Sequence, residues 1–233
     1  MTLNIPDDTE ILKSQLDYYR ARAQEYDESV QQIGRFATEE LEEPAVEGEL
    51  AQIRGALHRL TPAKSALELA CGTGIWTAEL LAVAETITAL DGAPEMLDVN
   101  RAKLGNDARV QYECINLFTW QPGSPFDLVF FAFWLSHVPP ERLGMFLDRV
   151  ARATRVGGQL FMVDEPASGR QLSGAGGADN TQIRQLHDGR QFRVVKVYHD
   201  PAVIQAALEV RGFGKFEVFE GDYFFSLCGT RLG

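Results

Sequence analysis

Glycines placed directly after a strand let a ligand approach the backbone, and the helix that follows offers unpaired N–H groups. The run Ala66-Leu67-Glu68-Leu69-Ala70-Cys71-Gly72-Thr73-Gly74 has that form. A Gly-x-Gly alone is a weak signal, because dinucleotide-binding folds use it too. Those folds want a third glycine three residues on, where this chain has Thr77, and a glycine two before Gly72, where Ala70 stands. Glu68, inside an apolar strand, suits a cationic ligand better than a pyrophosphate. Seventeen residues after Gly74 comes Asp91, at the end of the next apolar run. In a doubly wound sheet that carboxylate lies beside the glycine turn and can accept from both hydroxyls of a ribose. It could instead cap the helix that opens at Pro94.

The elements that would position these groups alternate. The spacing predicts strands over Ser65–Ala70, Glu85–Leu90, Val110–Cys114, Phe126–Ala132 and Gln159–Asp164, the last after a turn at Gly157-Gly158. Between them lie helices over Ile75–Ala84, Pro94–Leu104 and Pro140–Thr154. Strands alternating with helices imply right-handed crossovers and a mainly parallel sheet. Ahead of this core, a helix with mixed faces runs from about Asp8 to Val30. An acidic stretch follows, with Glu39, Glu40, Glu42, Glu43, Glu47 and Glu49, read as a solvated loop or helix end. Leu50, Ile53, Leu57 and Leu60 then mark one face of a second helix. After the core, Ser168–Asp179, with Gly169, Gly174, Gly176 and Gly177, reads as a mobile loop. Phe192–Tyr198 reads as an extra strand, Pro201–Val210 as a helix, and Lys215–Phe219 with Tyr223–Cys228 as a closing hairpin.

Composition bounds the partners. Apolar residues make up 45% and charged residues 24%, ordinary for one globular domain. A net charge of -11 and a pI near 4.9 repel phosphate backbones, which argues against nucleic acid or an anionic membrane. Cys71, Cys114 and Cys228 are scattered, as are the four histidines, so neither a disulfide nor a metal site is expected. There is no signal-peptide pattern at MTLNIPDDTE and no apolar run of about 18 residues. The expectation is a cytoplasmic protein, monomer or homodimer.

Three motifs in order, E-L-A-C-G-T-G, T-A-L-D-G-A-P-E-M-L and F-D-L-V-F-F-A-F-W-L-S-H-V-P, closely resemble those of class I S-adenosylmethionine (SAM)-dependent methyltransferases. The resemblance covers Ser65 to Asp164, and Tyr18 to Asp27 more loosely. It implies a Rossmann-like fold: a doubly wound, mainly parallel seven-stranded sheet with an antiparallel C-terminal hairpin and an N-terminal helical lid. The whole of 1–233 is then one domain, with the lid in 1–60, the SAM-binding core in 61–166, an acceptor cap in 167–200 and the closing helix and hairpin in 201–233. It also implies that Gly72 and Gly74 lie against the methionyl part of SAM, with Glu68 and the Ala70 backbone near its ammonium. Asp91 would hold the ribose, and Met96 would pack on adenine. Asn116 and Leu117 stand where the family has an acid followed by an amide donor to adenine. Tyr19, Arg22 and Tyr26 resemble a lid over SAM, with Arg22 a candidate for its carboxylate, though helix packing serves the tyrosines equally.

In such a fold the acceptor meets the methyl at the carboxyl ends of the first and fourth strands. His137 there could act as a general base, or could instead order the cofactor loop. Phe133 and Trp134 could wall the acceptor or face the sulfonium, or pack in the core. Asp164 and Glu165 are alternative bases. Arg184 and His187, with Asp188, Arg190 and Arg193, are candidates for reading the acceptor. A base-modifying Asn/Asp-Pro-Pro-aromatic motif is absent, as is the paired-glutamate loop of arginine methyltransferases, which leaves a small organic acceptor. The rival readings are a nicotinamide-dependent oxidoreductase and a SAM-binding protein without turnover.

Overall fold

A computed structural model of the chain describes residues 8–27, 43–60, 62–168 and 179–233. Helices α1 (Asp8–Arg22) and α2 (Glu43–His58) precede an alternating core. That core is β1 (Ala63–Leu69), α3 (Ile75–Leu80), β2 (Ala84–Asp91), α4 (Pro94–Lys103), β3 (Val110–Cys114), β4 (Phe126–Ala132), α5 (Pro140–Ala153) and β5 (Thr154–Asp164). There follow β6 (Thr181–Gln185), β7 (Gln191–Val195), α6 (Pro201–Glu209), β8 (Phe213–Glu220) and β9 (Phe225–Arg231).

Seven strands form one sheet in the order β3-β2-β1-β4-β5-β9-β8. The first five are parallel, and β9 runs antiparallel to both β5 and β8. Alternation along each strand sends side chains to two faces, both covered. Ala66, Leu128, Phe130, Phe161 and Val163 meet Ile53 and Leu57 of α2 and Leu80 of α3. Leu67, Val129, Phe131, Leu160 and Met162 meet Phe146 and Val150 of α5 and Ile204 and Leu208 of α6. Burial on both faces is what makes these strands near-continuous apolar runs. The chain leaves β1 toward β2 and β3, and leaves β4 the other way toward β5. The crevice between the carboxyl ends of β1 and β4 is therefore the topological switch point, where such sheets hold ligands.

Several expectations need correction. The first helix stops at Arg22, with a turn over 23–25; residues 28–30 lie outside the described residues. Glu39, Glu40, Glu42 and the glycine-rich 169–178 also lie outside them. Glu47 and Glu49 belong to α2, which starts well before Leu50. Glu49 is not idle: its carboxylate accepts from the amides of Asp222, Tyr223 and Phe224 (2.7, 3.0 and 3.0 Å), pinning the β8–β9 turn. Gly157-Gly158 is no turn, because β5 begins at Thr154 and passes through it with a register shift against β4. A Cβ on Gly158 would sit 2.9 Å from two carbonyl oxygens, so the bulge requires glycine. The extra strand ends at Val195, and its partner β6 was not expected. Thr181-Gln-Ile-Arg-Gln185 has little apolar content, yet Asp188-Gly189 is a hairpin-turn dipeptide that marks it. No described helix is long and apolar enough to cross a membrane.

Candidate active site

The carboxyl ends of β1, β2 and β4 and the loop after β3 enclose, under α1, a cavity of about 440 Å³, within the range of small-molecule sites. Thr9, Leu12, Leu16 and Tyr19 line it from α1. Their spacing of three, four and three residues puts them on one helix face. Ala70, directly after β1, and Phe133, directly after β4, both take left-handed backbone conformations, with φ of +55° and +54°. Side chains other than glycine rarely adopt these angles, and such strain concentrates where chains wrap ligands. Because β1 and β4 are neighbours, the two kinks flank the same opening, and both residues line it.

Asp91 ends β2 and ties the turns together. One carboxylate oxygen accepts from the Gly72 amide at 2.9 Å and the other from the Ala93 amide at 2.8 Å. The helix-cap alternative does not hold, because α4 has Ala93 at its N-cap and no side-chain capping bond. Burial pushes the Asp91 carboxyl up to about 6 against the pull of its amide donors. A carboxylate offers about four lone-pair sites, so these amides leave Asp91 accepting capacity for the cavity that it lines. Gly72, at φ +51°, has open space where a Cβ would be, whereas a Cβ on Gly74 would meet Asn100 at 2.4 Å. Gly72 thus faces the ligand space and Gly74 serves packing.

Glu68 is 2% exposed. Its Oε2 accepts from the Thr77 hydroxyl at 2.6 Å, and its Oε1 makes no hydrogen bond among the described residues. It borders a smaller cavity of about 30 Å³ shared with Ala70, Gly72, Thr73 and Phe133. Desolvation pushes its carboxyl up to about 8. Once ionised, a carboxylate in this position would be stabilised by a cation at its unbonded oxygen.

Tyr19 and His137 meet across the cavity roof at 2.7 Å, through the phenol oxygen and Nε2. His137 Nδ1 lies 2.7 Å from the Val195 carbonyl oxygen. A carbonyl only accepts, so Nδ1 carries the proton; Nε2 is then the acceptor and Tyr19 donates to it. Burial and the nearby Lys196 and Arg184 charges hold His137 well below its ordinary range, hence neutral. Gln15 braces this arrangement, donating to the His137 carbonyl and accepting from the Val195 amide. Burial likewise raises the Tyr19 phenol far above its ordinary value.

Eleven of the residues singled out in the sequence line the larger cavity: Tyr19, Tyr26, Ala70, Gly72, Asp91, Met96, Asn116, Leu117, Phe133, Trp134 and His137. The Asn116 side-chain oxygen already accepts from the Phe118 amide at 2.9 Å, which shapes the loop after β3. Phe133 and Trp134 diverge: Phe133 stands against Phe224, and Trp134 lies between Phe118 and Phe146. Arg22, Arg184 and His187 do not line the cavity. The Arg22 guanidinium is buried over the Tyr18 and Tyr26 rings, at 5.4 and 4.8 Å. Arg184 acts through its charge on Tyr19 and His137. His187 meets Glu25 of the segment after α1, on the outer surface. Asp164 accepts from the Ser136 and Glu165 amides, and Glu165 pairs with buried Lys196 at 3.0 Å. Both carboxylates are engaged in scaffolding and neither lines the cavity. Leu12, Gln15, Phe118 and Arg142 were missed by sequence reasoning; the helical stripe on α1 was the available signal for the first.

SAM, which the motifs imply, is tested by the donor set itself. The sequence of groups is a buried carboxylate with an unused oxygen, an open glycine, a second carboxylate with spare lone pairs, and buried Met96. It matches a ligand with an ammonium at one end and a nucleoside at the other. The residues present fit it. Among the described residues no group of three or more His, Cys, Asp or Glu side chains could hold a metal.

A family model described as a methyltransferase domain matches residues 66–158. A demethylmenaquinone methyltransferase of Clavibacter sepedonicus is 34% identical over 100 residues, spanning 42% of this chain and 40% of that protein. Over nearly the whole length, the chain resembles the DhpI–SAH complex: 34% identity, TM-score 0.78, 97% of this chain and 98% of the other. The DhpI–SAM–HEP complex is similar at 32% identity, TM-score 0.76, covering 96% and 99%.

Proposed function

The chain belongs to the class I SAM-dependent methyltransferases, enzymes with SAM as methyl donor, and on that premise we propose that it methylates a small organic acceptor at an atom needing no strong base. Membership removes the nicotinamide reading, and Thr77 supplies a physical reason: the third-glycine position holds a hydroxyl committed to Glu68. Asp91 would take the ribose hydroxyls, Glu68 and the Ala70–Gly72 backbone the methionyl end, and Met96 with the Leu117 loop the adenine. The acceptor is assigned the remaining volume, walled by Phe118, Trp134 and Arg142 and roofed by α1. One neighbour, the DhpI–SAM–HEP complex, holds SAM together with a further component, HEP.

When bound, SAM supplies an activated methyl on a positively charged sulfur. The chain's own contribution is alignment and exclusion of water. Leu12, Leu16 and Tyr19 close the cavity from above. Val195 holds the proton on His137 Nδ1, and His137 Nε2 holds the Tyr19 hydroxyl proton, so that the Tyr19 oxygen offers only lone pairs to the cavity. The observation that carries the reading is this one: both His137 nitrogens are occupied, and surrounding cations disfavour its protonation. Such a histidine positions; it does not readily take up a proton. Carboxylates and acidic phenols, which present a free lone pair at neutral pH, suit the site.

The test is release of S-adenosylhomocysteine from SAM across carboxylates, acidic phenols, alcohols and amines. Turnover concentrated in the first two groups supports the reading. Turnover confined to alcohols, rising through about pH 6.5 as an ordinary histidine loses its proton, would overturn it.

A further inference from the structure

We propose that Asn100, a buried residue of α4 outside the ligand cavity, is a positioning residue for the methyl donor: with Tyr112 and Thr77 it aims a one-way chain of hydrogen bonds at Glu68. The proposal rests on the reading that Glu68 receives the donor's ammonium. Asn100 is fully buried. Its Oδ1 accepts from the Tyr112 hydroxyl at 3.0 Å, and its Nδ2 donates to Thr77 Oγ1 at 2.9 Å. Nδ2 also lies 3.4 Å from the Gly72 carbonyl oxygen, which can only accept, so the amide cannot be reversed without setting two acceptors face to face. With Thr77 already accepting from Asn100, its single proton goes to Glu68 Oε2.

Every donor in the chain therefore points toward Glu68, and aligned hydrogen bonds of this kind strengthen one another in a low-dielectric interior. A protonated Glu68 could receive Thr77's bond only weakly, whereas an ionised one receives it fully. The relay thus opposes the burial and the Asp91 charge that favour protonation of Glu68. The other titratable groups around it are the Cys71 thiol in the glycine turn and the Tyr112 phenol on β3, with the Arg101 guanidinium 4.8 Å over the Tyr112 ring. Asn100 also packs against Gly74 so closely that a Cβ there would strike its amide. One side chain therefore fixes both the turn that receives the donor and the ionisation of the carboxylate that reads its charge.

The experiment measures SAM binding by the full-length chain from pH 6 to 9 for wild type, Asn100→Ala, Tyr112→Phe and Glu68→Gln, with 5′-methylthioadenosine, which lacks the ammonium, as a second probe. Tyr112→Phe keeps the ring and guards against a fold defect in Asn100→Ala. Loss of the relay should weaken SAM about tenfold at pH 7, with affinity recovering toward pH 9 and 5′-methylthioadenosine unaffected. A loss equal for both probes, or equal at every pH, would assign Asn100 to packing alone and overturn the proposal. If wild type and Glu68→Gln bind SAM with the same affinity and pH profile, the Glu68–ammonium reading fails instead.

Discussion

Glu68→Gln should make the protein more stable and a poorer binder of SAM. In the folded chain the Glu68 carboxyl is pushed up to about 8 from an ordinary 4.5. The folded state therefore holds a proton that the unfolded state releases, and stability from this group falls as pH rises from 4.5 through 8, then levels off. Each pH unit of that window is worth about 1.4 kcal/mol, so at pH 7 the wild type forgoes on the order of 3 kcal/mol. Glutamine keeps the shape and an oxygen for Thr77 but has no proton to exchange. Thermal unfolding of both proteins between pH 5 and 9 without ligand reads the effect directly. Near pH 5 the melting temperatures should nearly coincide. By pH 8 the variant should melt several degrees higher, since about 1 kcal/mol moves a domain of this size by roughly 2–4 °C. Saturating SAM should close the gap, because a bound ammonium stabilises the wild type alone. A melting difference independent of pH, or a variant binding SAM as tightly as wild type, would refute the reasoning.

The two turn glycines should separate by phenotype: Gly74→Ala, forced against Asn100 at 2.4 Å and φ +90°, should lower stability by about 1–2 kcal/mol or more in a melt. Gly72→Ala enters open space, so its larger effect should appear as lost SAM affinity by titration. Asp91→Ala frees the Gly72 and Ala93 amides and removes the ribose acceptor, and should weaken SAM by about tenfold or more; unchanged affinity would cancel the ribose assignment. His137→Ala releases the Tyr19 hydroxyl and should lower kcat about tenfold with SAM affinity little changed. Wild-type kcat should lack an inflection near pH 6.5, because His137 stays neutral through that range.

The parallel core was readable because burial on both sides of β1, β2, β4 and β5 leaves apolar runs that no surface strand would carry. Gly72 and Asp91 were readable as cavity-lining positions because turn geometry and strand-end position restrict residue type locally, whereas Gly74, read as a ligand contact, is required by its packing on Asn100. What escaped depends on partners far away in the chain. Tyr19 and His137 meet over 118 positions, and nothing in either neighbourhood announces a bond that leaves the histidine without a free nitrogen. Asn100 reads as an ordinary polar position within a helix until Thr77 and Tyr112 are brought against it by separate elements. Arg22 carries the charge expected of a carboxylate ligand, and its guanidinium lies over the Tyr18 and Tyr26 rings without lining the cavity itself. Strand β6 escaped because its stability comes from β7, itself packed under α1, and not from apolar content of its own.

A crystal structure of the chain grown with SAM tests the central claim most directly. Both ribose hydroxyls should lie within hydrogen-bonding distance of the Asp91 carboxylate, about 3 Å, with the amino group on Glu68 Oε1 and the methyl directed toward Trp134 and Tyr19. A ribose bound away from Asp91, or an amino group in solvent with Glu68 still unpartnered, would contradict it.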